Sequence, residues 1–307
     1  MAIALCSVAF TSCSDDDESG YTPNGPTATY AGKLPVKVGN YNFQYDDNGR
    51  CTNVTSSNGD EISIDYAKGK IYLDEMGDNM DVSFNKSGYI TKISGSYDYS
   101  DYDESDKGSG NVTFKYNGDG NLTSMSISSK GTYTYDGESF PYSNSINATC
   151  KWSGGDLVSI NYKYSESEDG EKYESTDVFT IDYDKTLDNE TRMFTMLWYN
   201  IFDNESFILA PVGLLGKGTA HLPEMFSYVY YDGSDDDYEE SHSVSYSLNP
   251  DGTIDWEDTY YETYNYRYMS FSSDDADVPS TYTAKAMPQA KKKLTIRDFF
   301  RPKHSRK

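Results

Sequence analysis

From residue 41 onward the polar and hydrophobic positions alternate in short runs, and the runs repeat. Four copies align: Phe43-Gln-Tyr45-Asp-Asp-Asn-Gly49-Arg-Cys51-Thr-Asn-Val54, Val82-Ser-Phe84-Asn-Lys-Ser-Gly88-Tyr-Ile90-Thr-Lys-Ile93, Phe114-Lys-Tyr116-Asn-Gly-Asp-Gly120-Asn-Leu122-Thr-Ser-Met125 and Ala148-Thr-Cys150-Lys-Trp-Ser-Gly154-Gly-Asp-Leu157-Val-Ser-Ile160. A fifth, Val244-Ser-Tyr246 to Gly252-Thr-Ile254, aligns with two extra loop residues. Successive anchors (Tyr45, Phe84, Tyr116, Cys150) lie 39, 32 and 34 residues apart.

Each copy reads as a β-hairpin. Period-two alternation marks the incoming strand, and an Asx or Ser cluster opens the turn. A glycine follows where a three-to-five-residue hairpin needs a positive φ. The return, Gly-x-apolar-Thr/Val-x-apolar, has a spacing of three instead of two. That spacing predicts a β-bulge beside the turn. A more variable second hairpin fills out the unit, as in Ile62–Tyr66 with Lys70–Leu73, and Gly131–Tyr135 ahead of Asp136-Gly137. Units of this length bury their faces against their neighbours. The prediction is an all-β fold, an antiparallel hairpin-repeat meander closing into a barrel or a strongly curled sheet.

One stretch breaks the rhythm. Met193–Phe226 is the most apolar part of the chain. It reads as a core-closing strand and short helix that plug the sheet, or else as the wall of a ligand pocket at a barrel mouth.

Composition changes the picture in one respect. Mean hydropathy is −0.74, a value that on its own suggests disorder. The 30 Tyr, 13 Phe and 3 Trp contradict that, because disordered chains are poor in aromatics. The core is therefore expected to be built largely from tyrosine and phenylalanine. The strand faces carry Tyr, Ser, Thr, Lys and Asp, whereas a lipid-facing strand needs an apolar face about 9–11 residues long. The barrel is expected to be soluble, not membrane-inserted.

Charge divides the chain. Residues 285–307 hold nine Lys/Arg against Asp298 alone, a basic tail of +8; the other residues hold 17 basic and 49 acidic side chains, −32. So acidic a body repels nucleic acid, which is excluded as a partner. The tail is expected to lie outside the fold, either folding back on the acidic body or touching phosphates at a membrane surface; its short apolar stretch, Leu294-Thr-Ile296 with Phe299-Phe300, could dock as a strand or press against the headgroup region.

The N-terminus predicts an address. Ala2–Phe10 is a short apolar run fit for a signal-peptide core. The Thr11-Ser12-Cys13 triplet resembles a lipobox, in which the cysteine thiol is acylated and the leader removed. Residues 1–12 are read as signal peptide, 13–29 as a lipidated, acidic, flexible tether, 30–284 as the β-barrel-like domain and 285–307 as the basic tail. The acidic run after Cys13 resembles the surface-export signal of Bacteroidetes-type lipoproteins. Lipidation at Cys13 implies membrane attachment through the anchor, at the outer membrane and on the cell surface.

The hairpin residues themselves resemble the aromatic-Asp-x-x-Gly-x-Leu-Thr signature of a family of Bacteroidetes lipoproteins of unknown function with a porin-like β fold, related to tyrosine–aspartate-type repeats. The resemblance covers roughly residues 30–285. It implies a barrel or curled meander and brings no catalytic residues.

Candidate chemistry is sparse. Cys51 and Cys150 fall at inward positions of the repeat, Cys51 in the place of Ile90 and Leu122, Cys150 in that of Phe84 and Tyr116. They read as small buried hydrophobes before they read as a disulfide. His221, His242 and His304 have no partner at ligand spacing, so no metal site is expected, and no cofactor. Gly213–Thr219 lacks the spacing of a phosphate loop, and the Asp-Gly turns lack the terminal Glu of a calcium loop. Catalytic residues are none. Trp152, Trp198 and Trp256 are candidate stacking platforms for sugars, against core packing as the plainer reading. The expected function is a non-enzymatic structural or binding module, with glycan or another surface protein as partner. Glycan capture is the first rival and a hydrolase the second.

Overall fold

A computed structural model describes residues 33–73, 78–101, 104–168, 170–231, 238–270 and 294–300. The expected leader, Cys13 and the expected tether lie outside the described residues.

The chain forms one long antiparallel meander. Its first strands are short: β1 (Lys33–Val38), β2 (Tyr41–Tyr45), β3 (Cys51–Ser56), β4 (Glu61–Asp65), β5 (Lys70–Leu73) and β6 (Asp78–Phe84). The middle strands are long: β7 (Ile90–Asp101), β8 (Glu104–Tyr116), β9 (Leu122–Tyr135), β10 (Glu138–Ser153), β11 (Asp156–Glu168), β12 (Glu171–Asp188) and β13 (His221–Tyr231). The last are short again: β14 (Tyr238–Ser243), β15 (Ser245–Leu248), β16 (Ile254–Asp258) and β17 (Thr263–Ser270). β17 returns to pair antiparallel with β1, which nearly closes a barrel.

An up-and-down meander closes antiparallel only on an even number of strands. The seventeen segments meet this condition because β14 and β15 are two halves of one strand. Only Val244 separates them, and its N–H donates to the Glu224 carbonyl, which extends the ladder between β13 and β14. β14 pairs with β13, and β15 pairs with β16. The barrel thus has sixteen strands among the described residues, with a seam where the bent strand changes neighbours.

The expected hairpins are all present, and so are the expected bulges. Register shifts fall at Gln44/Tyr45, Ser83/Phe84, Lys115/Tyr116, Lys151/Trp152 and Ser247/Leu248, one per repeat. In the first three the Asx side chain at the turn accepts two backbone N–H groups: Asp46 from Asn48 and Arg50, Asn85 from Ser87 and Tyr89, Asn117 from Asp119 and Asn121. Gly49, Gly88 and Gly120 then take φ of 70°, 83° and 86°, the left-handed region that the turn requires. The repeated threonine has a role too. Thr91 and Thr123 hydroxyls donate to the Ser83 and Lys115 carbonyls, beside the bulge.

The bulges correct the alignment of two repeats. The residue paired with the first return position is Tyr45 (to Cys51), Phe84 (to Ile90), Tyr116 (to Leu122), Trp152 (to Leu157) and Leu248 (to Ile254). In the fourth repeat the anchor is therefore Trp152, not Cys150, and Cys150 occupies the place of Phe114. In the fifth the anchor is Leu248, and the two apparent extra loop residues belong to the strand. Alternation alone cannot separate registers two residues apart, since both keep the same face inward.

The inward face is apolar and the outward face is polar. Along β10, Tyr142, Asn144, Ile146, Ala148 and Cys150 are buried, whereas Ser143, Asn147, Thr149 and Lys151 are exposed. Outward side chains bond to one another across strands, as Asn111 does to Ser128 and Ser126 to Asn147. A barrel of sixteen strands is otherwise wide enough for an aqueous channel. Here Met193–Leu215 fills it. Helix α1 (Met196–Phe202) and a 3-10 turn (Glu205–Leu209) carry Phe194, Trp198, Phe202 and Phe207 into the interior, and the rings of Phe202 and Phe207 stack at 4.0 Å. The expected plug is the structure observed. Hydrogen bonds from Ile90 N–H to the Leu214 carbonyl and from Lys217 N–H to the Gly120 carbonyl fasten it to the hairpins.

The basic tail needs correction. Its residues 294–300 lie inside the fold. Helix α2 (Ile296–Phe300) buries Ile296, Phe299 and Phe300 in the same core as the plug. An apolar triplet of this kind outweighs its charged setting, because burying an Ile or Phe side chain is worth about 1.5–3 kcal/mol. The rest of the tail lies outside the described residues.

Candidate functional site

The three tryptophans do not form a common platform. Trp198 sits on α1 and is entirely enclosed. Trp152 is half-buried, packs edge-on against Phe194, and donates from Nε1 to the Leu122 carbonyl at 2.7 Å. Trp256 is half-buried on β16, opposite Ser247 and Asn265.

Trp152 belongs to a series that sequence reasoning missed. Tyr66 donates to the Cys51 carbonyl, Tyr116 to Ile90, Trp152 to Leu122 and Tyr183 to Leu157. The four acceptors are the same position of four successive repeats, the first residue after the glycine turn. The four donors come from the next strand in the meander or the residue just after it. Each acceptor sits directly beside a bulge, and a long aromatic donor from next door reaches its carbonyl. Buried phenols of this set are pushed well above the ordinary tyrosine range, by burial first. The series is structural, and it occupies aromatics that otherwise look like ligand platforms.

Exposed aromatics gather elsewhere, at the seam. Tyr238 on β14 and Tyr260 and Tyr261 in the turn between β16 and β17 are 50%, 62% and 50% exposed. Tyr260 stacks on the His242 ring at 3.7 Å and meets Tyr261 edge-on at 5.3 Å. Behind them Tyr228 stacks on Phe179, and its hydroxyl donates to the Glu240 carboxylate at 3.1 Å. His242 Nε2 approaches the same carboxylate at 2.9 Å. Burial, then the bond to Glu240, pushes the Tyr228 hydroxyl up to about 12. The result is a shelf of wet tyrosine faces with a carboxylate and an imidazole at its back. It can stack on flat apolar faces and hydrogen-bond hydroxyls. In sequence, the Tyr260-Tyr261 pair was its only visible signal.

Two buried acids have structural partners. Asp156, fully buried, accepts from Lys185 Nζ at 2.5 Å, His221 N–H at 2.9 Å and His221 Nδ1 at 2.8 Å. Burial alone would raise its carboxyl; the lysine and histidine contacts outweigh that and hold it below the usual range. Lys185 lies on β12 and His221 opens β13, so the cluster ties β11 to the strands on either side of the plug. Glu257, also fully buried, accepts Met196 N–H and the Tyr266 hydroxyl on one oxygen, at 3.0 and 2.6 Å. It thereby ties β16 to the start of α1. Burial pushes its carboxyl up, against the donors that lower it.

Cys51 and Cys150 are both free and buried, the expected small-hydrophobe role. Burial pushes each thiol up to about 12. Among the described residues no group of three His, Cys, Asp or Glu side chains is placed to hold a metal ion.

No protein-family model matches the chain, and no curated protein matches it. Solved structures do. A porin-like protein from Bacteroides vulgatus superposes with a TM-score of 0.52 at 15% identity, covering 77% of this chain and 99% of that one. A second porin-like protein, from Bacteroides uniformis, gives a TM-score of 0.47 at 17% identity, covering 81% and 100%. The first likeness shows a shared barrel fold.

Proposed function

We propose that this chain is a lipid-anchored, non-enzymatic barrel of the outer membrane, attached through Cys13 and displayed at the surface as a binding or structural module. The observation that carries this reading is the inversion of the barrel's faces. A porin-type barrel needs an apolar exterior and a polar lumen. In this chain Ser, Thr, Asn and Lys face outward and the lumen is packed with Phe, Leu and Trp. Each lysine moved to the bilayer midplane costs about 2–4 kcal/mol, so the strands do not supply membrane attachment. The Thr11-Ser12-Cys13 triplet supplies it instead. Cys13→Ala is expected to abolish labelling by a clickable fatty acid and to release the protein from the membrane fraction. Unchanged labelling contradicts the proposal.

The seam shelf favours glycan as the ligand of such a module. Tyrosine faces stack on the apolar faces of sugars, and Glu240 behind them accepts hydroxyl hydrogens. The acidic body repels anionic polymers, which leaves neutral or amino sugars. A glycan-array screen is expected to return hits that vanish in the Tyr260→Ala, Tyr261→Ala double variant; hits that survive it contradict this assignment.

A further inference from the structure

We propose that the barrel contains a peptide-binding seat, that Leu294–Phe300 is its ligand held in cis, and that the seat accepts the same segment from a second copy of the chain. Helix α2 has five residues, whereas isolated helices shorter than about 12–15 residues are marginal in water. Its shape is therefore imposed by what it docks against, as for a peptide that folds on binding.

The seat is built to fit. Gly95 and Gly110 face each other across β7 and β8. A Cβ on Gly110 would lie 2.4 Å from the Phe300 ring, and one on Gly95 3.3 Å from Ile296 Cγ2. The two strands thus present bare backbone where the segment lies. The plug contributes a further contact, as Asn204 Nδ2 donates to the Phe299 carbonyl at 2.9 Å. At the near end Leu294 N–H donates to Asp60 Oδ1 at 3.0 Å.

Recognition is also electrostatic. Asp106 on β8 is 1% exposed, and Arg297 Nε stands 2.9 Å from its Oδ2. Its other oxygen accepts the Tyr142 hydroxyl at 2.8 Å. A carboxylate this deep needs a cation, because an unpaired buried charge is strongly destabilising. The cation comes from a segment that follows β17 by 23 intervening residues in sequence. Chain of that length spans up to about 75 Å, enough to reach a neighbour. Beside the seat a cavity of about 350 Å³, lined by Tyr41, Ile62, Tyr199, Glu205, Leu294 and Asp298, leaves the end of the segment open to exchange.

The test uses the full chain with a protease-recognition sequence inserted between residues 271 and 293. After cleavage the C-terminal fragment is expected to stay with the barrel on gel filtration. Excess labelled synthetic peptide of residues 294–307 then displaces it while the circular dichroism of the barrel is unchanged. The Arg297→Ala peptide competes more weakly by about tenfold or more, the effect of leaving a buried carboxylate without its ion-pair partner. In a chain carrying Asp106→Asn that preference for arginine disappears. The proposal is overturned if the fragment cannot be displaced without unfolding the barrel, or if wild-type, Arg297→Ala and scrambled peptides compete equally.

Discussion

The Tyr116 hydroxyl donates to the Ile90 carbonyl at 2.6 Å, across 26 residues of sequence. The acceptor is the first residue after the glycine turn of one hairpin, and the donor is the anchor of the next. Trp152 and Leu122 repeat the relationship, and Tyr66 and Tyr183 make the same bond to Cys51 and Leu157 from positions that are not repeat anchors. Tyr116→Phe removes the donor and leaves a carbonyl beside a bulge without its partner. The variant is expected to lose about 1–3 kcal/mol, read as a lower midpoint of urea unfolding with an unchanged slope. A stability equal to wild type would mean that solvent satisfies that carbonyl.

The turn glycines test the hairpin assignment directly. Gly49→Val, Gly88→Val and Gly120→Val each place a β-branched residue at positive φ, at an expected cost on the order of 1–2 kcal/mol. Chemical denaturation of the three variants checks this. Three neutral substitutions would contradict the turn geometry.

Much of this was legible in the sequence. Alternation located the hairpins, the three-residue return spacing located the bulges, and Asx-x-x-Gly located the turns, because each is a local property. Met193–Phe226 stood out as a plug by its apolarity alone. What was not legible depends on pairing between distant parts. Core packing was the plainer reading of Trp152, but only the observed register matches it to Tyr116. Net charge set the tail apart from the fold, although Leu294-Thr-Ile296 and Phe299-Phe300 were visible as a short apolar stretch able to dock. The seam shelf joins β14 to the turn before β17, which no spacing rule brings together.

Glu257 predicts a pH dependence. Burial raises its carboxyl above the ordinary 4.5 in the folded state. A group raised on folding adds stability below its unfolded value, and that contribution is lost as pH rises through the folded value. Glu257→Gln keeps an acceptor for Met196 N–H and removes the titration. Its stability relative to wild type is therefore expected to rise from acidic to neutral pH. Thermal unfolding at a series of pH values checks it, and a relative stability that falls with rising pH contradicts the sign.

Asp156 predicts the opposite limb. Held below the ordinary 3.8 by Lys185 and His221 against the pull of burial, it adds stability above that value and loses it as pH falls through the folded one. Asp156→Asn is expected to lower stability at neutral pH and to converge on wild type in acid. A gap that persists unchanged below pH 3 would assign the effect to packing instead of charge.

The central claim is a barrel with its polar face outward and its lumen filled, attached to a membrane by something other than its strands. Sedimentation without detergent tests it most directly. A chain of residues 30–307, lacking residues 1–29 but retaining the Ile296–Phe300 helix, is expressed and centrifuged at high speed in plain buffer. The account predicts a soluble protein in the supernatant with a β-type circular dichroism spectrum. Sedimentation of folded protein unless detergent is added would contradict it, since only an exterior that faces lipid requires detergent.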